Sequence, residues 1–194
     1  MKSLKTQYKI LWYSAKKASP KLEFYHAHKS NFSKESYLDS ITNFYHRSSL
    51  TKLRISSHDL SIERGRYNQI SRDQRLCMWC KISLGLHFVE SEEHLLFNCD
   101  LYASIRQQYK NSITHIFSHS TAATTTPAPR TFNAAQYHES DVDEESLQIK
   151  EVSKFVHHAL RDHEQFLRDY NKSKFQNAGS TSGRILAMIQ RRHT

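Results

Sequence analysis

The 194-residue chain has few of the residues that break helices or cross-link chains: four glycines, three prolines and three cysteines. So few glycines and prolines favour helical segments over a sheet built with many tight turns. Three cysteines make a poor disulfide framework, which argues against a secreted disulfide scaffold. The apolar runs are too short for a membrane-spanning helix, and no apolar leader follows Met1. We therefore expect an intracellular protein of a reducing compartment, nucleus or cytoplasm, that does not bind membranes.

Acidic residues are also in the minority, with 19 Asp and Glu against 28 Lys and Arg, for a formal charge of +9. A protein this basic is attracted to polyanions such as nucleic acid. The acidic residues outnumber the basic ones only in the middle of the chain, around an acidic run at 139–145. The basic charge thus lies on either side of an acidic spacer.

Composition predicts three regions. Residues 1–117 form a basic helical region, residues 118–146 a disordered linker, and residues 147–194 an amphipathic helix with a basic tail. The linker is predicted from two features, the stretch 120–129 with its two prolines and the acidic run at 139–145. Neither stretch has a hydrophobic period.

Apolar residues at helical spacing predict the helices themselves. We expect one helix from Ser33 to about Ile55, one over 92–98 capped by Ser91, one over Leu101–Phe117 and one over Leu147–Tyr170. The last has a continuous apolar stripe. Because a lone amphipathic helix is only marginally stable in water, this stripe must pack on the first region or bind a protein partner.

Every cysteine of the chain belongs to one pattern, Cys77-x2-Cys80-x13-His94-x4-Cys99. Thiolates and an imidazole at these spacings are typical ligands of a tetrahedral Zn²⁺ ion, and four protein ligands leave no open position for catalysis. The alternatives are cysteines that act only as small buried hydrophobes, and His87 in place of His94 as the fourth ligand. We expect a mainly α fold in which residues 77–99 form a zinc knuckle, a short β-hairpin followed by a helix.

Basic and aromatic residues cluster before and within the knuckle, and they are candidates for nucleic-acid binding. Guanidinium groups pair with phosphates, and exposed aromatic rings stack on unpaired bases. Two alternatives stay open: Trp79 covers the metal, or Glu63 holds Arg64 or Arg66 in a structural pair. The candidate residues are Arg54, Arg64, Arg66, Tyr67, Arg72, Arg75 and Trp79.

The chain from Lys21 to about Tyr109 resembles the region downstream of the polymerase domain in reverse transcriptases of non-LTR (jockey- and LINE-like) retrotransposons. The resemblance depends most on two features, the Cys-Cys-His-Cys spacing and the string Arg54-x-Ser56-x-His58-x-Leu60-x-Ile62-Glu63-Arg64-Gly65-Arg66-Tyr67. It is supported by Lys21-Leu22-x2-Tyr25, Tyr37-Leu38-Asp39, Glu90-x-Glu92-Glu93-His94 and Tyr102-x3-Arg106. It implies nucleic-acid contact during element replication, with His94 as the metal ligand.

The resemblance does not extend to catalysis. The chain has no Tyr- or Phe-x-Asp-Asp pair for polymerisation, and no hydrolase or nucleotide-binding motif. We therefore expect no enzyme, but a zinc-dependent module that binds RNA or single-stranded DNA. The alternatives are a protein-interaction module, with a structural zinc site and a partner on the 147–170 helix, or an element relic without function.

Overall fold

A computed structural model describes residues 3–117 and 139–176 of the chain. These residues are mainly helical, as expected. Three short 3₁₀ turns and one wider turn join the helices, and within the described residues the only β pairing is an isolated antiparallel bridge between Leu76 and Val89. The α-helices are Leu4–Ala18 (α1), Glu23–His28 (α2), Tyr37–Ser40 (α3), Phe44–Arg54 (α4), Ser61–Tyr67 (α5), Met78–Leu84 (α6), Ala103–Phe117 (α7) and Glu139–Gln176 (α8).

The predicted β-hairpin of the knuckle is wrong. Cys77 is the extended residue that precedes α6, and the chain is helical from Met78 to Leu84, where Gly85 ends the helix with a left-handed backbone (φ 67°). Antiparallel backbone hydrogen bonds join the two ends of the segment 75–90. Cys77 N–H donates to the Phe88 carbonyl (2.8 Å), and Glu90 N–H donates to the Arg75 carbonyl (2.9 Å). A helix between the paired ends leaves no length of chain for two strands.

The single helix expected from Ser33 to Ile55 is two helices, α3 and α4. Ile41 is extended at the end of α3, and Asn43 begins α4 by accepting a hydrogen bond from His46 N–H (3.1 Å). Asparagine is among the best N-cap residues, because its side-chain oxygen satisfies a free N–H of the first turn. This cap interrupts an apolar pattern that would otherwise continue as one helix.

The last helix, α8, is longer than expected, since it begins at Glu139 instead of Leu147 and extends to Gln176. The other part of the predicted linker, 118–138, and the tail beyond 176 lie outside the described residues. The predicted domain boundaries therefore stay a prediction. None of the helices in 3–117 and 139–176 has an apolar stretch that could cross a bilayer.

The chain forms two compact units, one combining Met1–His58 with Arg106–His157 and the other Asp59–Ile105 with His158–Thr194. Each unit has its own buried apolar residues. In the first they come from α3, α4, α7 and the first half of α8; in the second they surround the cysteines and include the second half of α8. The α8 members of these cores are Ile149, Val152, Phe155 and Val156 in the first unit, and Ala159, Leu160 and Phe166 in the second.

Candidate metal centre

The side chains of Cys77, Cys80, His94 and Cys99 lie together in the second unit, with their ligand atoms all within 4.8 Å of one another. The Cys77 and Cys99 sulfurs are 3.8 Å apart, those of Cys80 and Cys99 3.9 Å, and Cys80 Sγ is 3.4 Å from His94 Nε2. A tetrahedral ion with metal–sulfur distances of about 2.3 Å separates its sulfurs by about 3.8 Å. The four groups are therefore spaced as a metal ion needs them.

The first two ligands are positioned by the start of α6. Cys77 precedes the helix and Cys80 lies in its first turn, where Lys81 N–H donates to the Cys77 carbonyl (3.1 Å). Residues three apart share one face of a helix, so both sulfurs point to the same side. The first turn of α6 thus brings the Cys77 and Cys80 sulfurs together, which was the role expected of the β-hairpin.

The other two ligands come from a helical turn that begins as predicted. His94 N–H donates to Ser91 Oγ (3.1 Å), which confirms Ser91 as the cap. The turn His94–Asn98 is unusually wide, since Cys99 N–H donates to the His94 carbonyl (2.8 Å), five residues back. In an ordinary α-helix, residues five apart point about 140° away from each other. The wider turn reduces this angle, and such turns are common at functional sites.

All four candidate ligands are buried. Four-coordinate sites of this kind are structural. His87, the alternative fourth ligand, is exposed and lies outside the cluster. The position expected from the resemblance, His94, is the one that the fold brings to the cysteines.

The electrostatics of the cluster favour one thiolate among its three cysteines. Hydrogen bonds from Cys77 and Cys99, together with His94, lower the pKa of Cys80 far below its ordinary value. The pKa of Cys77 is raised by its hydrogen bonds to Cys80 and Cys99 and by burial. The cluster by itself thus stabilises one thiolate and opposes a second. A divalent ion held by these residues would provide the positive charge that lets the remaining thiols ionise.

In the same unit, a polar network joins α5, Glu90 and α8. The Glu90 carboxylate accepts hydrogen bonds from Ser61 N–H (2.7 Å) and Ser61 Oγ (2.6 Å). Its other oxygen lies 3.5 Å from His163 Nδ1, and His163 Nε2 is 3.3 Å from the Asp59 carbonyl. Sequence reasoning missed His163, because no local pattern links it to Glu90.

Comparison with known proteins identifies no relative. No protein-family model, curated protein or solved structure matches the chain. The resemblance to retrotransposon reverse transcriptases therefore stays a prediction, while the metal cluster is supported by its geometry.

Three of the seven candidate nucleic-acid residues make defined contacts within the fold. Arg54 is buried in the first unit, where it pairs with Glu35 (3.3 Å). Arg75 donates to the Ile70 and Ile62 carbonyls (both 2.9 Å). Trp79 is 2 % exposed, and its ring lies edge-on to that of Phe166 (5.4 Å). The described ring contact of Trp79 is with Phe166, and the alternative that Trp79 covers the metal stays a prediction.

The other four lie on or beside α5 and the short turn after it. Arg66 makes two hydrogen bonds to the Glu63 carboxylate (3.0 and 2.6 Å), which raise the pKa of Arg66. This is the structural pair considered for Glu63. Arg66 also covers the ring of Tyr67 (4.5 Å), whose side chain is 68 % exposed. Arg64 and Arg72 are exposed as well. Of the seven candidates, Arg64, Tyr67 and Arg72 are exposed, and Arg66 is half-buried.

Proposed function

We propose that the chain is a non-catalytic nucleic-acid-binding module organised by one zinc ion, derived from the C-terminal region of a non-LTR retrotransposon reverse transcriptase. The observation that carries this proposal is the buried cluster of three cysteines and one histidine at tetrahedral spacing. Three sulfurs and one imidazole nitrogen suit Zn²⁺ better than the hard cations, which prefer oxygen ligands.

The zinc ion has a structural role in this proposal. The ion would be held by Cys77, Cys80, His94 and Cys99. It would supply charge neutralisation and a cross-link, without any reaction. The cross-link would join the start of α6 to the wide turn. Because the ligands of such a site come together only in the folded chain, the free energy of zinc binding is also folding free energy.

The nucleic-acid part of the proposal is supported by charge and by the exposed residues of the second unit. The formal charge of +9 favours phosphate-rich ligands. Arg64 and Arg72 are exposed for phosphate contact, and the exposed ring of Tyr67 can stack on a base. Stacking requires an unpaired base, which favours RNA loops or single-stranded DNA over a duplex.

The protein-interaction alternative loses its main support. It required the apolar stripe of α8 to be available to a partner, but Phe155 and Leu160 are buried within the chain. The stripe contributes to the cores of the two units. This face of α8 is therefore covered within the chain.

Fluorescence anisotropy of the zinc-loaded chain with labelled structured RNA, single-stranded DNA and duplex DNA tests the proposal. We expect salt-sensitive binding to the unpaired forms, lost on chelation of zinc. Each phosphate contact contributes about −0.7 to the log–log salt slope on a single strand. The variant Arg64→Gln/Arg72→Gln should flatten this slope, whereas Arg161→Gln, which removes an exposed arginine from α8, should not. Affinity that is independent of salt and chelator would contradict the proposal.

A further inference from the structure

A short loop between the metal ligands exposes an unusual amount of apolar surface. We call residues Leu84–Phe88 the knuckle loop. Leu84 is 48 % exposed, Leu86 44 % and Phe88 46 %, so three bulky apolar side chains face solvent within five residues. Isolated exposed apolar residues are ordinary, but a contiguous group of them marks a binding site more often than chance.

The knuckle loop is held rigidly by the metal-binding segment. Leu86 N–H donates to the Cys80 carbonyl (3.2 Å), and the Phe88 carbonyl accepts from Cys77 N–H (2.8 Å). The middle and the C-terminal end of the loop are therefore hydrogen-bonded to Cys80 and Cys77, two of the candidate metal ligands. A loop ordered in advance loses little conformational entropy when it binds, so its contacts contribute more fully to affinity.

Phe88 is the aromatic residue of this loop, and one side of its ring is fixed. The ring lies against the imidazole of His94, with centroids 5.6 Å apart and planes at 34°. Nearly half of the Phe88 side chain nevertheless remains exposed. The metal ligand thus holds an aromatic ring in place while part of the ring stays open to solvent.

The charge around the loop selects the kind of ligand. From Lys81 to Val89 the sequence contains no acidic residue, and Lys81 and His87 are exposed. The next acid, Glu90, is buried and accepts hydrogen bonds from Ser61. A ligand for this surface should therefore have a flat apolar part and a negative charge, as an unpaired nucleobase with its phosphate does.

The size of the surface agrees with this ligand. A stable protein interface buries about 800 Å² on each partner, far more than three side chains provide. One base, in contrast, covers an area close to that of a single aromatic side chain. We propose that the knuckle loop binds an unpaired nucleobase by stacking on Phe88, with Lys81 contacting the adjacent phosphate. This inference rests on the proposed function and assigns to Phe88 the stacking role expected of the buried Trp79.

The test uses the full zinc-loaded chain and labelled twelve-residue oligonucleotides of RNA, of DNA and of abasic phosphodiester. We expect Phe88→Ala to weaken binding of the base-containing strands by about 5- to 150-fold, the range for one stacked base. Phe88→Tyr, which keeps an aromatic ring, should restore most of the affinity. Phe44→Ala removes an aromatic side chain that is 64 % exposed in the first unit, and it should bind as the wild type does.

The abasic strand separates stacking from phosphate attraction. The wild type should prefer base-containing strands to the abasic one, and Phe88→Ala should lose this preference while still binding one equivalent of zinc. The tighter of the RNA and DNA strands then identifies the natural source of the base. Zinc content is measured for every variant, because Phe88 contacts a metal ligand.

Failure of the inference is distinguishable from failure of the proposed function. If the wild type binds no strand, the proposed function is wrong and the inference falls with it. If the wild type binds but Phe88→Ala binds equally well with the same base preference, only the inference is overturned. A loss of base preference in Tyr67→Ala alone would place the stacked base on α5. A change of oligomeric state in Phe88→Ala, with unchanged affinity, would make the loop a self-association surface and overturn the inference.

Discussion

The two histidines between Cys80 and Cys99 provide a sharp test of the metal centre. His94 is buried with Nε2 3.4 Å from Cys80 Sγ, whereas His87 is exposed and outside the cluster. Both lie in the same segment of chain and are the same residue type. We expect His94→Ala to lose tight zinc binding and His87→Ala to retain one equivalent.

The magnitude follows from linkage between binding and folding. A ligand that binds only the folded state stabilises it by RT ln(1 + [L]/Kd), or about 4 kcal/mol when free zinc is 1,000 times Kd. For a chain of this size, 1 kcal/mol corresponds to about 2–4 °C in Tm. Zinc should therefore raise the Tm of the wild type and of His87→Ala by about 8–16 °C at this free concentration. His94→Ala leaves three ligands, so its increase should be much smaller.

The assay measures each protein with buffered zinc and with chelator, by thermal unfolding and by metal analysis. For each variant, the Tm with zinc is compared with the Tm with chelator. Loss of the buried imidazole lowers the stability in both conditions alike, so it cancels in this difference. Equal zinc content and equal zinc-dependent stabilisation of the two variants would refute the assignment of His94. Loss of zinc in His87→Ala alone would mean that the cluster geometry is wrong.

Three further predictions concern the framework around the site. Phe155→Ala, at a fully buried position of α8, should lower the free energy of unfolding by about 3–5 kcal/mol. Leu147 is 59 % exposed on the same helix, so Leu147→Ala should change the free energy of unfolding by less than about 0.5 kcal/mol. Equal effects of the two variants in urea unfolding would mean that the apolar stripe is not part of the core. Glu90→Ala leaves Ser61 N–H and Oγ without their acceptor, so it should lower the free energy of unfolding by about 1–3 kcal/mol. Glu93 is exposed, and Glu93→Ala should leave the free energy of unfolding almost unchanged in the same assay. Similar denaturation midpoints of the two variants would contradict a stabilising role of the Glu90 hydrogen bonds. A Cβ on Gly65 would lie 2.4 Å from Arg75 Cγ, so Gly65→Ala should lower the free energy of unfolding by about 1–3 kcal/mol. In a double-mutant cycle, Arg75→Ala should remove part of this destabilisation. Strictly additive changes in the free energy of unfolding would show that the contact is unimportant.

Several local features could be predicted because their causes are local. The Cys77–Cys80 spacing places two sulfurs on one side of a turn, and the Ser91 hydroxyl caps the turn that begins at His94, as expected. The apolar period of α8 identified its buried stripe. Each of these depends on residues within one or two helical turns, so the pattern in the chain contains the needed information. Asn43 had such a signal too, but the longer apolar period obscured it.

Other features depend on contacts between distant parts of the chain. The contacts of these arginines depend on residues that the fold brings next to them. Arg54 forms an ion pair with Glu35, and Arg75 donates hydrogen bonds to the carbonyls of Ile62 and Ile70. In the same way Trp79 is buried against Phe166 of α8, while Phe88, with no distinguishing pattern, stays partly exposed beside His94. By itself, then, the sequence identified the four residues of the candidate metal cluster and the stretches that become α3, α4, α7 and α8. Ligand spacing and helical period are properties of neighbouring residues. The helices α1, α2, α5 and α6 were not predicted. Only the tertiary structure decided which charged and aromatic side chains remain on the surface, because burial depends on what the rest of the chain places on top of them.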